Sequence, residues 1–202
     1  MPTALVLPLA LIAAYLLGSV PFAIVSSKLF GLADPRSYGS GNPGATNVLR
    51  SGNKKAALFT LIGDGLKGWA AVFIAQQAGL GSTAVGLVAL AVFFGHLYPV
   101  FLKFKGGKGV ATAAGVLLAL DPLLGLAVAA TWLFMAYAFR YSSLAAVTAA
   151  AAAPVISVLM HGGNGQTLVV GILAMALVGK HWQNIQRLLA GQESKIGSKK
   201  KG

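Results

Sequence analysis

The sequence predicts an all-α fold: a polytopic integral membrane protein of about seven transmembrane helices, N-terminus outside and C-terminus cytoplasmic. Three observations predict it. Hydrophobic residues make up 56% of the 202 and charged residues only 10%, against about 25% charged in a typical soluble domain. Apolar stretches recur at lengths near the ~20 residues that cross hydrocarbon as a helix. Lys and Arg then gather on one side of the resulting crossings.

Residues 3–27 carry no charge and form the first span. A polar, glycine-rich stretch occupies 28–55, and 56–80 is the second span, with Asp64 and Lys67 inside it. The AGLGS run at 78–82 signals a turn. Residues 83–102 form the third span, and 103–109 a short basic loop. Residues 110–120 are apolar but short, and the Asp121-Pro122 pair ends them, because Pro suits a first helical turn and not an interior. Spans at 122–139 and 142–160, a HGGNG turn at 161–165 and a last span at 166–179 lead to a basic tail from Lys180.

With seven crossings, the loops at 28–55, 103–109 and 140–141 share one side with the tail and hold every Lys and Arg except Lys67. The other side receives 1–2, 78–82, Asp121 and 161–165, with neither Lys nor Arg. The basic side is therefore expected to be cytoplasmic. Merging two spans would spread basic loops over both sides. A five-span arrangement stands only if two short segments do not fully cross. The N-terminus has no basic n-region, so a cleaved signal peptide is not expected. The chain reads as one membrane-embedded domain, 1–202, with motif loops at 36–55, 95–112 and 180–193.

Composition also excludes chemistries. Sixteen basic residues face four acidic ones, Asp34, Asp64, Asp121 and Glu193, for a net +12. A two-metal transferase needs clustered carboxylates that this set does not supply. The absence of Cys removes disulfides, thiolate nucleophiles and zinc knuckles. Neither a metal nor another cofactor is expected. So few charges in total also argue against a nucleic-acid partner.

The first inner loop reads YGSGNPGATNVLRSGNKK. Gly39, Gly41 and Gly44 match G-x-G-x-x-G literally, but a dinucleotide site needs a preceding strand, and a membrane helix precedes this one. Glycines free backbone N–H groups to face an anion. Ser40, Asn42, Thr46 and Asn47 add neutral donors, and Arg50 adds a fork suited to phosphate. The second loop reads GHLYPVFLKFKGGKGVAT. Gly106, Gly107, Lys108 and Gly109 sit where a helix begins, beside its positive end, and Lys105 adds charge. Positive-inside bias accounts for the lysines but not the glycines. His96 reads as a structural residue. The third stretch, GKHWQNIQRLLAGQES, places His181 and Asn184 on one helical face beside Ile185, Leu188 and Leu189. Arg187 and Lys195 also fit a helix lying on the membrane. Glu193 reads equally as a cation's partner or a chemical group. Asp64 and Lys67, three apart inside a span, read equally as a structural pair or a functional one. Lys199, Lys200 and Lys201 suit anionic lipid headgroups.

GSGNPGATNVLR, GHLYPVFLKFKGGKGVAT and HWQNIQRLLAGQE resemble the three cytoplasmic motifs of the bacterial acyl-phosphate:glycerol-3-phosphate acyltransferases, the PlsY family. DGLKG at 64–68 resembles the family pattern too, and the likeness covers almost the whole chain in order. The resemblance implies acyl transfer from acyl phosphate to the 1-hydroxyl of sn-glycerol 3-phosphate. It implies lysophosphatidic acid and phosphate as products, at the first acylation step of phospholipid biosynthesis. It implies no metal and no acyl-CoA. It implies a site on the cytoplasmic face of the bacterial inner membrane.

By resemblance, Ser40, Arg50, His181 and Asn184 are the essential residues. The glycines of the second motif, with Lys108, bind the phosphate of glycerol 3-phosphate, and Glu193 is more structural. Substrate contacts are expected from Gly39, Gly41, Asn42, Gly44, Thr46, Asn47, Asp64, Lys67, Lys105, Gly106, Gly107, Lys108, Gly109 and Glu193. The proton goes either to His181 or to a substrate phosphate. The soluble enzyme that makes acyl phosphate is a plausible docking partner on the basic face. The competing reading is a transporter or channel for a phosphate-bearing anion, which would place ligand contacts near the midplane.

Overall fold

Hydrocarbon offers no partner for backbone N–H and C=O groups, so a chain that crosses it must satisfy them internally. In the computed structural model, which describes residues 3–197, the ordered elements are all helices, with no strand among the described residues. They are α1 (Thr3–Ser19), α2 (Phe22–Leu29), α3 (Ala45–Leu49), α4 (Lys54–Gln77), α5 (Ser82–Leu97), a 3₁₀ turn (Val100–Leu102), α6 (Val110–Leu120), α7 (Pro122–Phe139), α8 (Ser142–His161), α9 (Gly165–Lys180) and α10 (Trp182–Leu189). Met1–Pro2 and the Lys199–Lys201 cluster lie outside the described residues.

Among the described residues, four helices are long and apolar enough to cross a membrane: α4, α5 with its 3₁₀ extension, α7 and α8. Two bent pairs, α1 with α2 and α9 with α10, bring the number to six. The seventh apolar segment is α6. Its 11 residues rise only about 16 Å at 1.5 Å each, roughly half the hydrocarbon thickness.

The first span differs from the expected continuous helix over 3–27. It breaks at Val20-Pro21 and turns by 43°, because Pro21 lacks the N–H that would continue the ladder. A short helix, α3, also interrupts the 28–55 stretch.

Small residues set the helix crossings. A side chain on Gly68 would run into the Thr112 carbonyl, and one on Gly115 into the Gly65 carbonyl, so α4 and α6 meet backbone to backbone. Gly18 and Gly95 do the same for α1 and α5. Ala145, Ala146, Ala149, Ala150 and Ala153 bury one face of α8. Phe93, Leu97, Val92 and Leu124 fill the centre. On α7, Leu123, Leu133, Phe134 and Tyr137 point outward, as lipid-facing side chains do.

The bundle has two unlike ends. At one, the Asp121 side chain caps α7 through the N–H groups of Leu123 and Leu124, and its other oxygen lies 2.7 Å from His161 Nε2. The other end carries the three motif loops.

Candidate active site

Motif one is a loop wound around Asn47. Gly39 and Gly41 take left-handed backbone angles, φ 61° and 68°, which glycine adopts without penalty. The turn brings the Ser40 N–H to Asn47 Oδ1 at 2.9 Å. Asn47 Nδ2 donates to the carbonyls of Pro35 (2.6 Å) and Tyr38 (3.2 Å). Gly44 then opens α3, and Arg50 closes it. Arg50 Nη1 reaches Asn47 Oδ1 at 3.4 Å, and Nη2 donates to Ser194 Oγ at 2.7 Å. Ser40 and Arg50 are exposed. Thr46 Oγ1 lies 3.1 Å from Ser142 Oγ, tying this loop to α8.

Motif two folds back on the end of α5. Gly107 N–H donates to the His96 carbonyl at 3.2 Å. A side chain on Gly106 would meet the His96 and Leu97 carbonyls, and one on Gly107 the His96 imidazole. Gly109, φ 84°, begins α6 against Phe93 and Leu97. The packed glycines aim the half-buried Lys108 at Asn184, whose Oδ1 accepts from its Nζ. Lys105 is exposed on the outer part of the loop.

Beneath these glycines lies the intramembrane pair. Lys67 Nζ sits 2.7 Å from Asp64 Oδ1 and donates to the Val20 carbonyl at 2.8 Å. His96 Nδ1 lies 3.4 Å from the same carboxylate oxygen. A cavity of only about 10 Å³, roughly one water's worth, adjoins them, bounded also by Pro43, Gly106 and Gly107.

Motif three begins at a 59° bend between α9 and α10. The bend turns His181 and Asn184 inward, at 3% and 6% exposure. His181 Nδ1 lies 2.9 Å from the Leu177 carbonyl. Asn184 Nδ2 donates to Glu193 Oε1 at 2.6 Å. The same oxygen accepts from Ser143 Oγ at 2.7 Å, and Oε2 accepts from Arg187 Nε at 2.7 Å.

The three motifs therefore meet. Arg50 joins Ser194, whose neighbour Glu193 holds Asn184, which holds Lys108. Burial lowers the Lys108 ammonium to about 8. The Glu193 carboxylate opposes that drop, and the nearby cations Arg187, Arg50 and Lys180 reinforce it. Burial also acts to raise the Glu193 carboxyl, but the bonds from Ser143, Asn184 and Arg187 outweigh it and hold the group below its ordinary range. The result is a basic, partly desolvated cluster with one anchored acid.

Arg50, Lys108, Asn184 and Glu193 are joined through hydrogen bonds and Ser194, and Ser40 stands on the same loop as Arg50. Asn47 spends its amide on holding its own loop. Asp64 and Lys67 underlie the glycines as a buried pair. Asn42 and Gly44 lie on the partly buried flank of motif one. His96, read from the sequence as a structural residue, buttresses Gly107. Two contributors went unread: Ser143 as a Glu193 donor and Ser194 as the Arg50 partner.

The family model for glycerol-3-phosphate acyltransferase matches residues 8–191. A glycerol-3-phosphate acyltransferase of Dechloromonas aromatica (strain RCB) is 86% identical over 193 residues, 96% of this chain and 98% of that protein. One from Burkholderia cenocepacia (strain ATCC BAA-245 / DSM 16553 / LMG 16656 / NCTC 13227 / J2315 / CF5610) is 64% identical, covering 96% of this chain and 92% of its own. The crystal structure of PlsY, an integral membrane glycerol 3-phosphate acyltransferase, in its glycerol 3-phosphate form superposes with a TM-score of 0.89 at 40% identity, covering 95% of this chain and 96% of that one. Its lysophosphatidic acid form gives 0.88 at 38% identity and 95% coverage of both chains. An all-helical membrane bundle, three convergent motifs and these relatives together show that the chain belongs to the glycerol-3-phosphate acyltransferase family.

Proposed function

We propose that this protein transfers an acyl group from acyl phosphate to the 1-hydroxyl of sn-glycerol 3-phosphate, giving lysophosphatidic acid and phosphate. The observation that carries the reading is the line from Arg50 through Ser194, Glu193 and Asn184 to Lys108. It sets two cations from different motifs in one linked cluster, with Arg50, Arg187 and Lys180 close enough to act on Lys108.

The chemistry needs that arrangement. Acyl phosphate is a mixed anhydride, already activated, so no covalent enzyme intermediate is required. The glycerol oxygen bonds to the acyl carbon, the carbon–oxygen bond to phosphate breaks, and phosphate leaves with the electron pair. Two phosphates must approach despite mutual repulsion. Arg50 and Lys108 screen them, and each charge-assisted hydrogen bond contributes about 1.5–3 kcal/mol. Ser40 and the motif-two loop orient the acceptor, and orientation supplies much of the rate. An apolar groove between α8 and α9, lined by Pro154, Gly171, Ala174, Met175 and Val178, supports an acyl chain lying among the helices. Its edge residue Gly179 is two positions from His181.

His181 is the protein's own proton acceptor in this scheme. With Nδ1 engaged by the Leu177 carbonyl, Nε2 is the nitrogen left for the hydroxyl. The other acceptor is a substrate phosphate oxygen. Burial pushes the His181 imidazole down to about 4, so the pH profile above that value does not report it and the rate decides: a near-normal rate in His181→Gln removes His181 from the role.

In this reading the site faces the cytoplasm at the bacterial inner membrane, the side that basic loops favour, and that basic face is a plausible docking surface for the soluble enzyme that makes acyl phosphate. The test is purified protein with acyl phosphate and radiolabelled glycerol 3-phosphate. Labelled lysophosphatidic acid supports the reading. Movement of label across vesicles without product overturns it.

A further inference from the structure

Gly191, φ 67°, ends α10 and turns the chain back over the cluster. The following residues are tied down on both sides. Glu193 is fixed by Ser143, Asn184 and Arg187. Ile196 N–H donates to the Arg140 carbonyl at 2.6 Å, and Arg140 Nη2 donates back to the Ile196 carbonyl at 3.1 Å. Between these anchors, Ser194 Oγ accepts from Arg50 Nη2 at 2.7 Å.

We propose that residues 192–197 form a strap over the site, and that Ser194 is a positioning residue for Arg50. An exposed Arg side chain has many rotamers, and a phosphate site needs its guanidinium plane fixed. Here two neighbouring loops hold it. Asn47 takes Nη1 at 3.4 Å and Ser194 takes Nη2 at 2.7 Å. Guanidinium N–H groups beyond these two remain for a phosphate, since the group carries five donors. The strap also links the motifs mechanically. Glu193 sets Asn184 and through it Lys108, while the adjacent Ser194 sets Arg50. One short segment thereby fixes the spacing of the two cations that screen the reactants.

The inference rests on the reaction proposed above, and its test keeps the two separable. Wild type, Ser194→Ala and Ser194→Thr are compared in steady-state turnover, varying each substrate in turn. Ser194→Ala is expected to raise KM for one phosphate-bearing substrate about threefold to tenfold, the scale of one lost charge-assisted bond at a partly exposed site. It leaves kcat within about twofold, and Ser194→Thr, which keeps the hydroxyl, restores KM. Ser194→Ala placed on Arg50→Lys adds no further rise. Unchanged KM values in Ser194→Ala overturn the proposal, as does a Thr variant no better than Ala. So does a fall in active fraction and thermal stability with both KM values intact, which is the signature of a purely structural contact. If the wild type forms no product, the reaction reading fails instead. The strap is then judged by titrating inorganic phosphate, which Ser194→Ala must weaken at least about threefold.

Discussion

The Lys108 ammonium titrates at about 8, and this predicts how glycerol 3-phosphate affinity depends on pH. Between pH 7 and pH 9, a group of that pKa falls from about nine-tenths to about one-tenth protonated. The phosphate of the ligand has its second ionisation near 6, so its charge is constant over that range. Loss of the Lys108 cation is then the changing quantity. Affinity is present below pH 8 and lost above it, by about tenfold per pH unit, or roughly 1.4 kcal/mol. Lys108→Arg removes the titration, because guanidinium stays charged. Its absolute affinity falls several-fold, since Arg does not reproduce the bond from Lys108 Nζ to Asn184 Oδ1, but its pH profile is flat to 9.5. Equilibrium titration calorimetry of the purified protein reads both profiles without turnover. A wild-type profile flat through 9.5, or an Arg variant with the same alkaline decline, would refute the assignment.

Three other perturbations follow from the packing. Glu193→Ala strands the donors of Ser143 and Asn184 on a carboxylate side chain only 7% exposed. With the 39%-exposed Arg187 discounted to a surface pair, denaturation should show a loss of about 3–5 kcal/mol, against about 1 for Glu193→Gln. Gly115→Ala pushes a methyl onto the Gly65 carbonyl where α4 meets α6, so thermal unfolding should report about 1–3 kcal/mol of destabilisation. Gly171→Ala, with open space around its position, should stay within about 0.5 kcal/mol. Asp64→Asn leaves the buried Lys67 ammonium without its carboxylate, at a cost of about 3–5 kcal/mol. Adding Lys67→Met should recover part of it in the same unfolding assay.

Much of this architecture was legible in the chain itself. Apolar length and the placement of Lys and Arg gave the crossings and the turns at 78–82, Asp121 and 161–165, because hydrocarbon thickness and charge cost act locally along a helix. The three spacing-dependent motifs are the segments that the fold brings together at one end of the bundle. The bend at Pro21 was signalled by the proline, but uniform apolar composition from 3 to 27 concealed it. Contacts between distant residues left no such trace. Ser194 meets Arg50 across 144 positions and Ser143 meets Glu193 across 50, and nothing in either serine's neighbours announces the partner. His96 is paired with Asp64 by the packing of α4 against α5, and residue spacing does not encode that. Asn47 looked like a ligand donor because its type and loop suited one. Only the fold shows its amide committed to Pro35, Tyr38 and Ser40.

The most direct test of the central claim, that one basic cluster seats both phosphates for direct transfer, is a product balance. Purified protein is given acyl phosphate and glycerol 3-phosphate, and released phosphate is counted against lysophosphatidic acid formed. One phosphate per product molecule is expected, with both signals falling together in Arg50→Ala and no product when acyl-CoA replaces the donor. Product formed equally well from acyl-CoA, or phosphate released without product, would contradict it.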